Sequence, residues 1–228
     1  MTSRADNFTR ANTSNNIGTP SDGGSAWVQQ SGTWGITSNQ GYTSATTGYN
    51  SCVLEASVSA VEVQVTISYA STGPNAGLVV RAADDNNFIM LRAITGTGLD
   101  LYTKIAGTLN NIGNSPVAIA SGDVFKLRAD SADLLTVYQN GVARISVTNS
   151  TGNTNTKHGM MSADTLGLFT AFSITDLSAA HLGFGKITSN RKYFLPSEAA
   201  LLLAALESKR ALSRRRFFQW LPGAFWRK

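Results

Sequence analysis

Cysteine, histidine, proline and charge are all scarce in this chain of 228 residues: one Cys, two His, five Pro, and only 14% charged side chains. The lone Cys52 cannot close an internal disulfide, so nothing indicates an oxidising folding compartment, and without a basic neighbour in sequence it reads as an inert, half-buried thiol. His158 and His181 are too few, and too far from Cys52 or paired acids, to suggest zinc. The opening MTSRADNF has no apolar core of a secretory signal, and no run approaches the roughly 18 apolar residues of a membrane span. Even Ala199 to Leu206 is too short. These absences predict synthesis in a cytoplasm and a soluble or at most peripheral protein.

Gly, Ser, Thr and Asn are abundant, as expected of short strands joined by turns whose side chains bond their own backbone, and 42% apolar residues can fill a core. Charge is unevenly divided. Residues 1–190 carry ten Lys+Arg against twelve Asp+Glu, a balance of −2, whereas residues 191–228 carry nine against two, a balance of +7. The chain therefore reads as two parts, 1–190 and 191–228.

The first part is a succession of strands. A short strand near Asn7 to Arg10 is followed by a turn-rich segment and a hairpin, with Val28 on one arm, Trp34 and Ile36 on the other, and a turn at Ser31-Gly32. In VEVQVTISYA, Val61, Val63, Val65, Ile67 and Tyr69 share one face and Glu62, Gln64, Thr66 and Ser68 the other, the alternation of a half-buried antiparallel strand. Gly77 to Arg81 and Phe88 to Ala93 flank a turn over Ala83 to Asn87; Leu99 to Ile105 and Leu109 to Ile112 flank Gly107. Val124 to Asp130 turns through Ser131-Ala132-Asp133 into Leu134 to Gln139, and Asn140-Gly141, the favoured two-residue hairpin turn, leads into Ala143 to Val147. A last pair covers Lys157 to Ser162 and Leu168 to Thr175. Many short strands without helical crossovers predict an all-β, two-sheet antiparallel β-sandwich or jelly roll.

At Arg191 the pattern changes. A Pro-Ser start, good helix formers, basic residues late and a Pro222-Gly223 stop predict a C-terminal α-helix from about Ser197 to about Phe217, followed by an aromatic and basic tail.

Three segments together resemble the concanavalin-A-like lectin/glucanase superfamily, in its laminin-G-like branch. They are D-x-F-x-R at Asp6, Phe8 and Arg10 with W…G-x-W-x-I at Trp27, Gly32, Trp34 and Ile36; G-L-V-V-R-A-x-D-x-N-N-F at Gly77 to Phe88, with Leu99 to Tyr102 and Val137 to Val142; and a closing element at His158 to Met161 and Phe169 to Phe172. The resemblance covers about residues 6–176. It implies a jelly roll in which first and last strands pair, setting Phe8 beside Phe172. Members include sugar hydrolases, lectins and structural modules, and the opening motifs are similar to domains of tailed-phage structural proteins such as minor tail proteins.

Catalysis finds little support. A retaining glycosidase needs two carboxylates about 5 Å apart; the E-x-D-x-x-E strand motif of related glucanases is missing, and the core strands offer only isolated Glu55 and Glu62. Asp84, Asp85, Asn86 and Asn87 carry oxygens of the kind Ca²⁺ takes, but they read as a turn capping its own backbone, so no metal or cofactor is expected. Among the aromatics Trp27, Trp34, Tyr42, Tyr49 and Tyr102, the loop residues Tyr42 and Tyr49 are the candidates for glycan contact.

The tail is the stronger candidate. Leu202 and Leu206 share a helix face, Arg214, Arg215 and Arg216 crowd its end, and Phe217, Phe218, Trp220, Leu221, Phe225 and Trp226 are too much apolar area to leave in water. Aromatics and Arg are the anchors of assembly interfaces. The sequence thus predicts a non-enzymatic structural protein of a phage virion, displaying its sandwich and anchored through these residues to other virion proteins or to copies of itself. The alternative is a carbohydrate-binding module for host or environmental glycans. Packing of the helix on its own sandwich stays open as a further reading of the tail, and nucleic acid and membrane are the disfavoured partners.

Overall fold

The computed structural model describes residues 3–45, 48–69 and 75–178. Fifteen strands follow in order: β1 (Arg4–Asp6), β2 (Val28–Gln29), β3 (Trp34–Thr37), β4 (Gln40–Thr43), β5 (Asn50–Glu55), β6 (Val61–Ser68), β7 (Asn75–Asp84), β8 (Asn87–Ile94), β9 (Gly98–Ile105), β10 (Thr108–Ser115), β11 (Asp123–Ala129), β12 (Leu134–Gln139), β13 (Val142–Thr148), β14 (Lys157–Ser162) and β15 (Leu168–Asp176). Among the described residues no helix is long and apolar enough to cross a membrane. The expected helix and tail, and the boundary at residue 190, lie outside the described residues.

The strands form two antiparallel sheets, as the alternation predicts. One has eight strands in the order β13-β12-β11-β6-β15-β4-β3, with β1 on β15; the other has seven in the order β10-β9-β8-β7-β14-β5-β2. Residues of both sheets meet in one core that includes Trp34, Val63, Val65, Leu78, Leu91, Leu101, Phe125, Leu127 and Phe169. In β6 each buried Val or Ile alternates with a half-buried polar residue, so one face packs and the other carries contacts such as Lys126–Glu62 at 2.8 Å. The Asn140-Gly141 turn has φ of 50° and 80°, the left-handed pair that a tight hairpin needs.

Four local expectations are corrected. The first strand is Arg4–Asp6, not Asn7 to Arg10, because Asp6 Oδ1 accepts the Phe8 N–H at 2.8 Å and Phe8 turns to φ 55°, ending the extended run. Val28 and Trp34 are not arms of one hairpin: Val28 pairs with Val53 in the seven-stranded sheet, while β3 pairs with β4 in the other. The chain crosses between sheets at Gly32, φ 73°, where Trp34 Nε1 donates to the Ser31 carbonyl. Strands β14 and β15 likewise separate, β14 between β5 and β7 and β15 beside β6, because each buries a different inward row. Cys52 is fully buried rather than half-buried, and burial pushes its thiol well above the ordinary range.

First and last strands do pair, with Asp6 opposite Phe172. Phe8 itself is not the residue opposite Phe172; the Trp27 ring lies 4.8 Å from that of Phe172 and 6.2 Å from that of Phe8.

Candidate functional site

The two outward faces differ in kind. On the eight-stranded sheet the outward face of β6 is polar throughout. On the seven-stranded sheet, Val53, Val79, Ala82, Phe88, Met90 and Met161 form a second buried cluster on the face away from the main core, and Tyr49, Tyr102 and Leu109 pack against it. Alternation explains the split along β8: Ile89, Leu91 and Ala93 point into the main core, and Phe88, Met90 and Arg92 point the other way.

Arg92 is the centre of this second face. Its Nη1 donates to Tyr49 Oη at 2.6 Å, and its Nη2 donates to Asp100 Oδ2 at 2.8 Å and to Tyr102 Oη at 3.0 Å. The guanidinium carbon lies 5.7 Å from the Tyr49 ring centroid and 4.9 Å from that of Tyr102, within cation–π range. Register places the group: Arg92 of β8 stands opposite Asp100 of β9, and Met90 opposite Tyr102. Side-chain exposure is 14% for Arg92 and 13% for Asp100, so the pair is largely withdrawn from water. Burial opposes the positive charge, but the Asp100 carboxylate and the two tyrosine oxygens outweigh it and raise the Arg92 pKa above its ordinary value. Further along the face, Lys104 stands 5.2 Å over the Phe88 ring and donates to the Asp85 carbonyl at 2.6 Å.

This arrangement has the chemistry of a polyol contact: a paired charge, two phenolic hydroxyls and two aromatic faces. Of the two tyrosines expected to touch glycan, only Tyr49 belongs to it. Tyr42 lies in β4 on the other sheet, its hydroxyl 3.5 Å from the Thr13 carbonyl. Trp27 and Trp34 are buried. Arg92 and Asp100 were missed as site residues, although the polar positions interrupting FIMLRA and LDLYTK mark them as outward.

The other candidates are occupied structurally. Asp84 Oδ1 accepts from Asn86 N at 2.7 Å and Asn87 Nδ2 at 2.9 Å, and these bonds hold its carboxyl below the usual range. Glu55 and Glu62 stand in different sheets, Glu55 accepting from Ser57 N and Glu62 paired with Lys126. His158 is buried, its Nδ1 accepting from Arg81 N at 3.1 Å and its Nε2 facing the Val58 carbonyl at 2.9 Å. Leu202, Leu206, Arg214 to Phe218, Trp220, Leu221, Phe225 and Trp226 lie outside the described residues.

No family model and no curated protein matches the sequence. Among solved structures the chain is similar to the carbohydrate binding module CBM66 from Bacillus subtilis, at 17% identity and a TM-score of 0.54, over 66% of this chain and 95% of that one. It is also similar to the GH43 protein BlXynB from Bacillus licheniformis, at 13% identity and a TM-score of 0.52, over 75% of this chain but only 38% of that one. At such identities the likeness shows the fold alone, a two-sheet antiparallel β-sandwich of the jelly-roll kind.

Proposed function

We propose that the sandwich is a non-catalytic carbohydrate-binding module whose contact site is Arg92, Asp100, Tyr49 and Tyr102 on the outward face of the seven-stranded sheet. The observation that carries this reading is the guanidinium held between two tyrosine hydroxyls and a carboxylate, 4.9 Å from one ring. Sugars present hydroxyls that exchange hydrogen bonds with such groups and C–H faces that pack on aromatic rings. The similarity to a solved carbohydrate binding module supports the reading at the level of fold. A hydrolytic role is disfavoured, because Glu55 and Glu62 are on separate sheets and Asp100 is engaged by Arg92. The reading calls on no metal or cofactor.

A glycan array with the intact protein, Tyr102→Ala and Tyr42→Ala tests it. Glycans retained by the intact protein should be lost by at least about tenfold in Tyr102→Ala and kept by Tyr42→Ala. Absence of any retained glycan, or equal loss in both variants with native circular dichroism, overturns it.

A second reading concerns the remainder of the chain and rests on sequence. The +7 balance of residues 191–228 and the cluster from Phe217 to Trp226 suit an anchor that fixes the sandwich to virion proteins or to copies of itself. The two readings are compatible, since a virion component can display a glycan-binding domain.

A further inference from the structure

We infer that the outward face of the eight-stranded sheet is a second binding surface, and that its ligand is a carboxylate-bearing polysaccharide held by Arg128 and Arg144 across Tyr138. Among the described residues, ion pairs take every lysine and arginine except Arg128, Arg144 and Lys157. Lys157 belongs to the other sheet and stands opposite Glu55. The two free arginines therefore share one face, in a part of the chain, residues 1–190, whose charge balance is −2.

Register places them. Phe125, Leu127 and Ala129 of β11 point into the main core, so Lys126 and Arg128 point outward; Leu135 and Val137 of β12 do the same for Thr136 and Tyr138. One outward row then runs Thr175, Glu62, Arg128, Thr136 and Ser146. The next runs Ser173, Gln64, Lys126, Tyr138 and Ala143. On β13 the register shifts opposite Val137 and Tyr138, which leaves Arg144 as the extra residue of a bulge; Ile145 after it enters the core, and Arg144 is exposed. Arg128 and Arg144 thus stand two strands apart, about 10 Å across the sheet, with Tyr138 on the strand between.

The face is open to water. Arg144 and Ser146 are exposed, Arg128 and Tyr138 are half-buried, and the Lys126 side chain is 27% exposed. Glu62 is the one acid in the two rows, and although it stands opposite Arg128 its carboxylate is taken by Lys126 at 2.8 Å. Lys126 Nζ also lies 5.7 Å from the Tyr138 ring centroid, so the ring is steadied while its hydroxyl keeps no partner among the described residues.

This chemistry selects the ligand. A free guanidinium donates two parallel bonds to a carboxylate, and the hydroxyls and amide around the two arginines suit a polyol between its charges. Two free cations are few for nucleic acid, whose affinity grows with the number of phosphates neutralised. A protein partner calls for an apolar centre, and the two rows hold hydroxyls, an amide, charges, one tyrosine and one alanine. The surface lies on the opposite side of the sandwich from Arg92, so the inference stands whether or not that site binds sugar.

The test follows backbone amide NMR signals of the full chain during titration with tetragalacturonate at about 20 mM salt, where exposed charges are little screened. Signals around Arg128, Tyr138 and Arg144 should shift and saturate, and raising the salt to about 0.2 M should reverse the shifts. The methyl-esterified tetramer should bind at least about tenfold more weakly. Arg128→Gln/Arg144→Gln should also lose at least about tenfold, with an unchanged unfolding midpoint, while Tyr102→Ala binds as the intact protein does. Shifts confined to residues 191–228 or to the Tyr102 face, equal binding of the ester, or undiminished binding by the double variant overturns the inference. Tetraglutamate or a single-stranded tetranucleotide that moves the same signals at equal or lower concentration overturns it too. Each of these results leaves the Arg92 site to its own test.

Discussion

Burial holds the His158 imidazole neutral and lowers its pKa to about 4, with the Val58 carbonyl opposing that shift and Arg81 adding to it. Arg81 faces it, 1% exposed, bonded to Asp133 Oδ1 at 3.0 Å and to the Asp130 carbonyl at 2.8 Å, and tying the 130–133 turn to β7. The folded value lies below the 6.5 of an ordinary His, so the unfolded chain takes up the proton first. Stability from this group is fully present above pH 6.5, falls as pH drops towards 4, and changes no further below that. The loss should total roughly 3 kcal/mol, seen as a fall in urea-unfolding free energy between pH 7 and 4 that is absent in His158→Gln. An equal slope in both proteins would rule His158 out as its source. The node was invisible in sequence, where Arg81 and His158 are only members of two strand motifs.

At the level of elements, the D-x-F-x-R motif is a clasp that closes the end of β1. Asp6 Oδ1 accepts from Phe8 N at 2.8 Å and Arg10 Nη1 at 2.7 Å; its Oδ2 accepts from Arg10 Nη2 at 2.8 Å and Trp27 Nε1 at 2.7 Å. The Asp6 side chain is fully buried, so Asp6→Ala takes the acceptor from Arg10 Nη1 and Nη2 and from the Trp27 N–H and should destabilise by about 3–5 kcal/mol in chemical denaturation. A loss below about 1 kcal/mol would show the clasp to be incidental. Elements whose geometry is local were legible: the alternation of β6 and β11, and the hairpin at Asn140-Gly141. Elements defined by a distant partner were not. Val28 and Trp34 look like facing arms, yet their pairing is set by Val53 and Thr43, and the four-residue β4 has too little pattern to announce itself.

For the whole molecule, strands of both sheets meet in one core among the described residues. Truncation after Asn190 should leave a soluble domain with an unfolding midpoint within a few degrees of the full chain, while self-association or association with particles is lost. Light scattering after size-exclusion chromatography checks this. A truncated protein that keeps the full chain's oligomeric state and particle association would refute the anchoring reading. The sequence by itself determined the fold class, the inward and outward rows and most turns, because period-two alternation and left-handed turn residues are local properties. Only the tertiary structure decided which sheet each strand joins and which outward residues converge. Arg92, Asp100 and Tyr102 meet through the register of β8 on β9, and Tyr49 reaches Arg92 from outside any strand; the energy that fixes that register comes from burying whole faces, which no short window of sequence contains.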